Sequence, residues 1–128
     1  MIKKISLSKS YNKVIGGYIL IPSSISKELG WFDNIEDIHL EYKDNKLIIS
    51  NTTEDKENKN IEDGKLIIFN KDTKIIRGRK YYKDSVYLTE KIYLPINITK
   101  ELSKDFTNLN IIITTENNNI IVEGMNNE

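Results

Sequence analysis

The sequence predicts a mainly β protein with two short helices, built from two ββαββ units in tandem. Three observations carry that reading. Residues 19–50 return 73 positions later without a gap, so that Ile19, Pro22, Ile25, Lys27, Glu28, Leu29, Ile38, Asn45 and Ile48 meet identical residues at Ile92, Pro95, Ile98, Lys100, Glu101, Leu102, Ile111, Asn118 and Ile121. Short apolar runs alternate with polar residues between turn signals, the period of half-buried strands. In each copy a proline ends the apolar strand and apolar residues four apart follow it, which is the spacing of one helical face. A fixed period means one supersecondary unit used twice, with the copies burying their apolar faces against each other.

In the first unit, residues 1–50, residues 4–7 and 13–21 read as strands, and Gly16-Gly17 suits a tight hairpin turn. Pro22 lacks a backbone N–H, so it stops strand pairing and opens a helix capped by Ser23 and Ser24. Ile25 and Leu29 form its buried stripe, and Gly30 suits the left-handed residue that ends it. After an acidic loop, residues 38–43 and 46–50 form a hairpin around Asp44-Asn45. In the second unit, residues 75–124, residues 86–88 and 92–94 flank a turn at Thr89-Glu90-Lys91. Pro95 and Asn97 then open a helix with Ile98 and Leu102 inward, and residues 111–115 and 120–123 close around Asn117-Asn118-Asn119. Between the units, residues 51–63 are polar and charged and read as a flexible acidic linker. Residues 64–74 add a strand or hairpin, turning at Lys71-Asp72, and residues 125–128 are a tail.

The chain has 128 residues, enough for one domain with a core of its own. It has no cysteine, which excludes disulfides, a zinc ribbon and a thiol nucleophile. No apolar run approaches the ~20 residues of a membrane helix, and no apolar segment follows Lys3-Lys4 to make a signal peptide. The expectation is a cytoplasmic protein. Net charge is zero, but it is unevenly spread: residues 1–32 carry +4, 33–63 carry −6, 64–91 carry +5 and 92–128 carry −3. A fold that joins the basic blocks would make a positive pole.

The run Ile19-Leu20-Ile21-Pro22, with Ile25, Lys27, Leu29-Gly30, Asp37, Leu40 and Lys46-Leu47-Ile48-Ile49, resembles the AbrB/SpoVT/MazE group of swapped-hairpin DNA-binding domains. Two copies in one chain are similar to the MraZ arrangement. The resemblance covers roughly residues 2–50 and 75–124. It implies that the units interlock into a pseudo-two-fold swapped-hairpin, cradle-loop β barrel, and that the first hairpin of each presents basic residues to double-stranded DNA. The matching positions are Lys9, Lys13 and Tyr18 in one copy and Arg77, Arg79, Lys80, Lys83 and Lys91 in the other. Family members often carry Gly-Arg two residues before the apolar strand end, where this chain has Gly17-Tyr18 and Glu90-Lys91. An Arg fork grips phosphate or guanine in a bidentate way that Lys and Tyr do not.

The residues by themselves leave both readings open. Lys3, Lys4, Lys9 and Lys13, with Tyr11 and Tyr18 between them, read as a phosphate-tracking arm or as an ordinary solvated hairpin. Arg77, Arg79, Lys80, Tyr81, Tyr82 and Lys83 form the densest basic and aromatic cluster, contain the only two arginines, and read as a nucleic-acid contact or as a solvated strand edge. His39 has no second His or Cys near it and reads as a half-buried strand residue. Asp33, Glu36 and Asp37 lack calcium-loop spacing, Trp31 and Phe32 read as core packing, and Glu28 and Glu101 as helix-surface charge. No phosphate-cradling glycine loop is present, no histidine is placed to activate a serine, and no cofactor is implied.

The resemblance implies a sequence-specific DNA-binding transcriptional regulator of prokaryotic type, not an enzyme; the residues by themselves carry a duplicated β-rich barrel with a basic pole. A second reading is a MazE-like antitoxin that masks a toxin-like protein partner, and a third is an adaptor barrel that binds no DNA. Duplication permits either a monomeric pseudo-dimer or a swapped homodimer.

Overall fold

The structure is a computed structural model that describes residues 1–53 and 55–125. It is mainly β, with two helices and a curled half-barrel sheet. In chain order the elements are β1 (Ile2–Lys4), β2 (Ser6–Ser10), β3 (Lys13–Leu20), α1 (Ser23–Glu28), β4 (Asp37–Lys43), β5 (Lys46–Ser50) and β6 (Asn58–Glu62). There follow β7 (Lys65–Lys74), β8 (Ile76–Tyr82), β9 (Ser85–Pro95), α2 (Ile96–Ser103), β10 (Asn110–Glu116) and β11 (Asn119–Gly124). They form a seven-stranded sheet, β1-β10-β11-β5-β4-β7-β6, and a four-stranded sheet, β2-β3-β9-β8.

The repeat explains the pairing. Ile19 faces its own counterpart Ile92 across β3 and β9, and Ile48 faces its counterpart Ile121 across β5 and β11. β1 of the first unit adds to β10 of the second, while residues 69–74 of β7, in the segment between the units, add to β4 of the first. The bridging bonds match as well, with Ile5 N donating to Leu109 O at 2.9 Å and Ile75 N to Glu36 O at 2.8 Å. Alternation within the strands sends Ile19, Leu40, Leu47, Ile49, Ile92, Ile111, Ile113 and Val122 into one core with Trp31. Burying each such side chain stabilises the fold by about 1.5–3 kcal/mol relative to leaving it in water.

Several local expectations need correction. The first hairpin turns at Tyr11-Asn12, whose φ angles of 51° and 65° suit a type I′ turn, rather than at Gly16-Gly17. The two glycines lie inside β3, where a Cβ on Gly17 would come within 2.9 Å of Ser6 O and 3.2 Å of Thr99 Cγ2. β9 runs unbroken through Thr89-Glu90-Lys91, because β8 pairs with it residue by residue from Ile76↔Lys91 to Tyr82↔Ser85. β7 likewise runs through Lys71-Asp72, and its hairpin partner is β6, turning at Asp63-Gly64. Residues 58–62, read as flexible linker, are therefore an edge strand. All five are exposed, so its order comes from backbone bonds to β7 and leaves no apolar signal in sequence. Of the tail, only Met125 lies within the described residues.

Both helices start from a proline N-cap and have no side-chain cap, so Ser23 and Ser24 do not cap α1. Gly30 ends α1 as its sequence suggests. At φ 75° it lets Gly30 N reach Lys27 O at 3.1 Å and Trp31 N reach Ser26 O at 2.8 Å, the paired bonds of a Schellman motif. In α2 the left-handed residue comes at Lys104, one place later than Gly30's counterpart Ser103.

Candidate nucleic-acid interface

The four-stranded sheet and its turns hold seven Lys and Arg residues against two acids, Asp84 and Glu90. Residues directly opposite in an antiparallel pair share a face. The registers therefore place Tyr82, Lys80, Tyr87, Lys91, Tyr93, Tyr18 and Leu20 on one face, and Ile19, Ile92, Gly17, Leu94 and Glu90 on the other. The second set is buried and the first is exposed or half-buried. At the centre of the outer face Tyr18 and Tyr93 lie 5.6 Å apart, tilted by 56°. Lys91 Nζ stands 4.6 Å above the Tyr18 ring, a cation–π arrangement that holds a charge beside an aromatic surface.

Past the end of β3, strands β8 and β9 pair only with each other and project as a two-stranded ribbon. Arg79, Lys80 and Lys83 are exposed on it, as are Tyr81, Tyr82, Val86 and Tyr87. Lys83 Nζ lies 5.6 Å from the Tyr82 ring centre. The other basic group, Lys9 and Lys13, flanks the β2–β3 turn, where Tyr11 is fully exposed. Because β3 and β9 are antiparallel, the two tips point away from each other. At ~3.3 Å per residue they are separated by a contour of roughly 40 Å along the sheet. The basic blocks thus occupy two ends of one sheet rather than a single pole. Lys3 and Lys4 belong to β1 in the other sheet, but they line a cleft of about 380 Å³ with Leu20, Pro22, Leu88 and Thr89, at the root of the ribbon.

Comparison of the chain with protein-family models, curated proteins and solved structures finds no match.

Arg77 is the sequence-selected residue that the structure removes from the exposed cluster. Its Nε donates to Glu90 Oε2 at 2.8 Å, and its Nη2 donates to Trp31 O at 3.3 Å and to Ile35 O. Glu90, with 1 % of its side chain exposed, also accepts from Ser26 Oγ at 2.6 Å and from Asp33 N at 3.2 Å. The pair fastens the ribbon root to the segment after α1. Glu90 occupies the repeat position of Gly17, and Ser26 that of Thr99, so one helix meets a carboxylate where the other meets a bare backbone.

The remaining polar candidates are structural. His39 is buried, with Nδ1 2.6 Å from Asp72 Oδ1 and Nε2 3.0 Å from Asn70 Oδ1, tying β4 to β7. Lys74 faces Asp37 at 3.2 Å and Glu36 at 3.8 Å, and its hydrogen bond to Asp37 raises its pKa above the ordinary lysine value. Among the described residues no group of three His, Cys, Asp or Glu side chains can hold a metal ion, and no helix is long and apolar enough to cross a membrane. Sequence reasoning passed over Tyr87 and Tyr93. The alternation Tyr87, Thr89, Lys91, Tyr93 was the available signal, hidden by reading residues 89–91 as a turn.

Proposed function

We propose that the chain is a DNA-binding transcriptional regulator whose two repeats interlock as a swapped-hairpin barrel and present both first hairpins to double-stranded DNA. The addition of β1 to β10 in the second copy, and the meeting of Ile19 with Ile92 and of Ile48 with Ile121, support the interlocked arrangement. The observation that carries the DNA reading is the projecting β8–β9 ribbon, with Arg79, Lys80 and Lys83 exposed and one acid, Asp84, at its tip. A two-stranded ribbon fits the major groove of B-DNA. Arg79 is the arginine left to read a guanine edge, while the lysines follow phosphates.

The test is binding of the purified chain to DNA from its own upstream region and to a scrambled fragment, at roughly 50 and 200 mM salt. If Lys9, Lys13, Arg79, Lys80, Lys83 and Lys91 each neutralise one phosphate, affinity falls about a thousandfold across that range. Preference for the native fragment supports a sequence-specific regulator. Equal, weak binding to both fragments defeats it.

A further inference from the structure

The tyrosines are not distributed like core residues. Six of the seven in the chain lie on the four-stranded sheet or its turns, and Tyr42 is the exception. Four of those six, Tyr18, Tyr82, Tyr87 and Tyr93, share the outer face with Lys80 and Lys91, and the registers place no acidic residue there. Tyr82, Tyr87 and Tyr93 keep 61 %, 55 % and 47 % of their surface open to solvent. Exposed rings of that number add nothing to the core, and burying them against an apolar protein surface would desolvate the lysines between them.

We propose that this face binds single-stranded nucleic acid, with unpaired bases stacked on the tyrosine rings and phosphates held by the lysines. This rests on the nucleic-acid reading of the same sheet and adds a second form of ligand to it. Every base has a π-face, so stacking tolerates any sequence. A duplex keeps those faces inside its own stack and offers edges and phosphates instead. Along β9, Tyr87 and Tyr93 are separated by about 20 Å at ~3.3 Å per residue, on one side of the strand. Lys91 lies between them and Lys80 pairs directly with Tyr87, so one extended strand laid along β9 meets ring, cation and ring in turn. Charge complementarity selects this occupant over an apolar protein surface.

The test is fluorescence anisotropy with a labelled ~20-nucleotide strand of mixed sequence and with its own duplex, at roughly 50 mM salt. Tyr82→Ala/Tyr87→Ala is expected to weaken single-strand binding by about 30-fold or more, from the loss of two stacked bases, and to weaken duplex binding far less. Tyr82→Phe/Tyr87→Phe keeps the rings and is expected to restore single-strand binding. Lys80→Gln/Lys91→Gln is expected to weaken both ligands. Duplex binding without single-strand binding by the unaltered protein overturns the proposal and leaves the regulator reading standing, whereas binding of neither ligand overturns both. Equal loss of both ligands in the alanine variant, or failure of the phenylalanine variant to restore binding, also overturns it.

Discussion

Replacing Arg77 by leucine breaks the buried Arg77–Glu90 pair, whose further hydrogen bonds fasten the ribbon root to the body. The change leaves the Glu90 carboxylate, with 1 % of its side chain exposed, with Ser26 Oγ and Asp33 N as its remaining donors among the described residues, and it strips a donor from Trp31 O and Ile35 O. Breaking a buried pair by removing one partner costs about 3–5 kcal/mol. Arg77 is 20 % exposed, so water softens the loss, and the lower end, about 3 kcal/mol, applies. For a chain of 128 residues that corresponds to a fall in Tm of roughly 12 °C. Adding Glu90→Gln to Arg77→Leu removes the stranded charge but keeps an acceptor for Ser26, and is expected to recover about 1.5 kcal/mol or more. Urea unfolding followed by circular dichroism measures both variants. An Arg77→Leu protein within about 1 kcal/mol of the parent, or no recovery in the double variant, would refute the reasoning.

Arg79→Gln, Lys80→Gln and Lys83→Gln should each lower DNA affinity and shrink the salt slope by about one, while stability stays within about 0.5 kcal/mol because all three are exposed. Arg79→Lys should keep binding to scrambled DNA but reduce preference for the native fragment, since lysine lacks the bidentate fork; competition titrations read the ratio. Gly17→Ala forces a methyl to within 2.9 Å of Ser6 O and 3.0 Å of Ile5 Cγ2, an overpacking expected to cost about 1–3 kcal/mol in urea melts. Tyr42 has its phenol pushed up from 10.0 to about 12, first by burial and then by the nearby Glu101 carboxylate. The folded state therefore favours the neutral phenol. That contribution is complete below pH 10 and disappears between pH 10 and 12, amounting to about 2–3 kcal/mol, so Tyr42→Phe should flatten this part of the stability profile.

The legible parts of the fold are those where a local rule acts alone. Pro22 and Pro95 stop a strand and start a helix because the ring removes a donor and sets φ, and both sit at helix N-caps. Asp44-Asn45 and Asn117-Asn118 hold hairpin turns with paired positive φ, as side chains that tolerate the left-handed region allow. Gly16-Gly17 misled because glycine marks both turns and close approach, and only the position of Thr99 and Ser6 decides which. β6 was illegible because an exposed edge strand buries no side chain and so needs no alternation.

The sequence by itself determined that the protein is a duplicated β structure with basic, tyrosine-rich first hairpins, because repeat identity and residue type are local properties of the chain. Only the tertiary structure decided which of those residues face water. Arg77 and Arg79 are two positions apart, yet lie differently because Glu90, Ser26 and the loop after α1 close over the first and leave the second exposed. It also decided that the two basic tips lie at opposite ends of one sheet, because β3 and β9 meet antiparallel at Ile19 and Ile92. That pairing joins residues 73 positions apart and is imposed by the core they share, which no local stretch of sequence encodes.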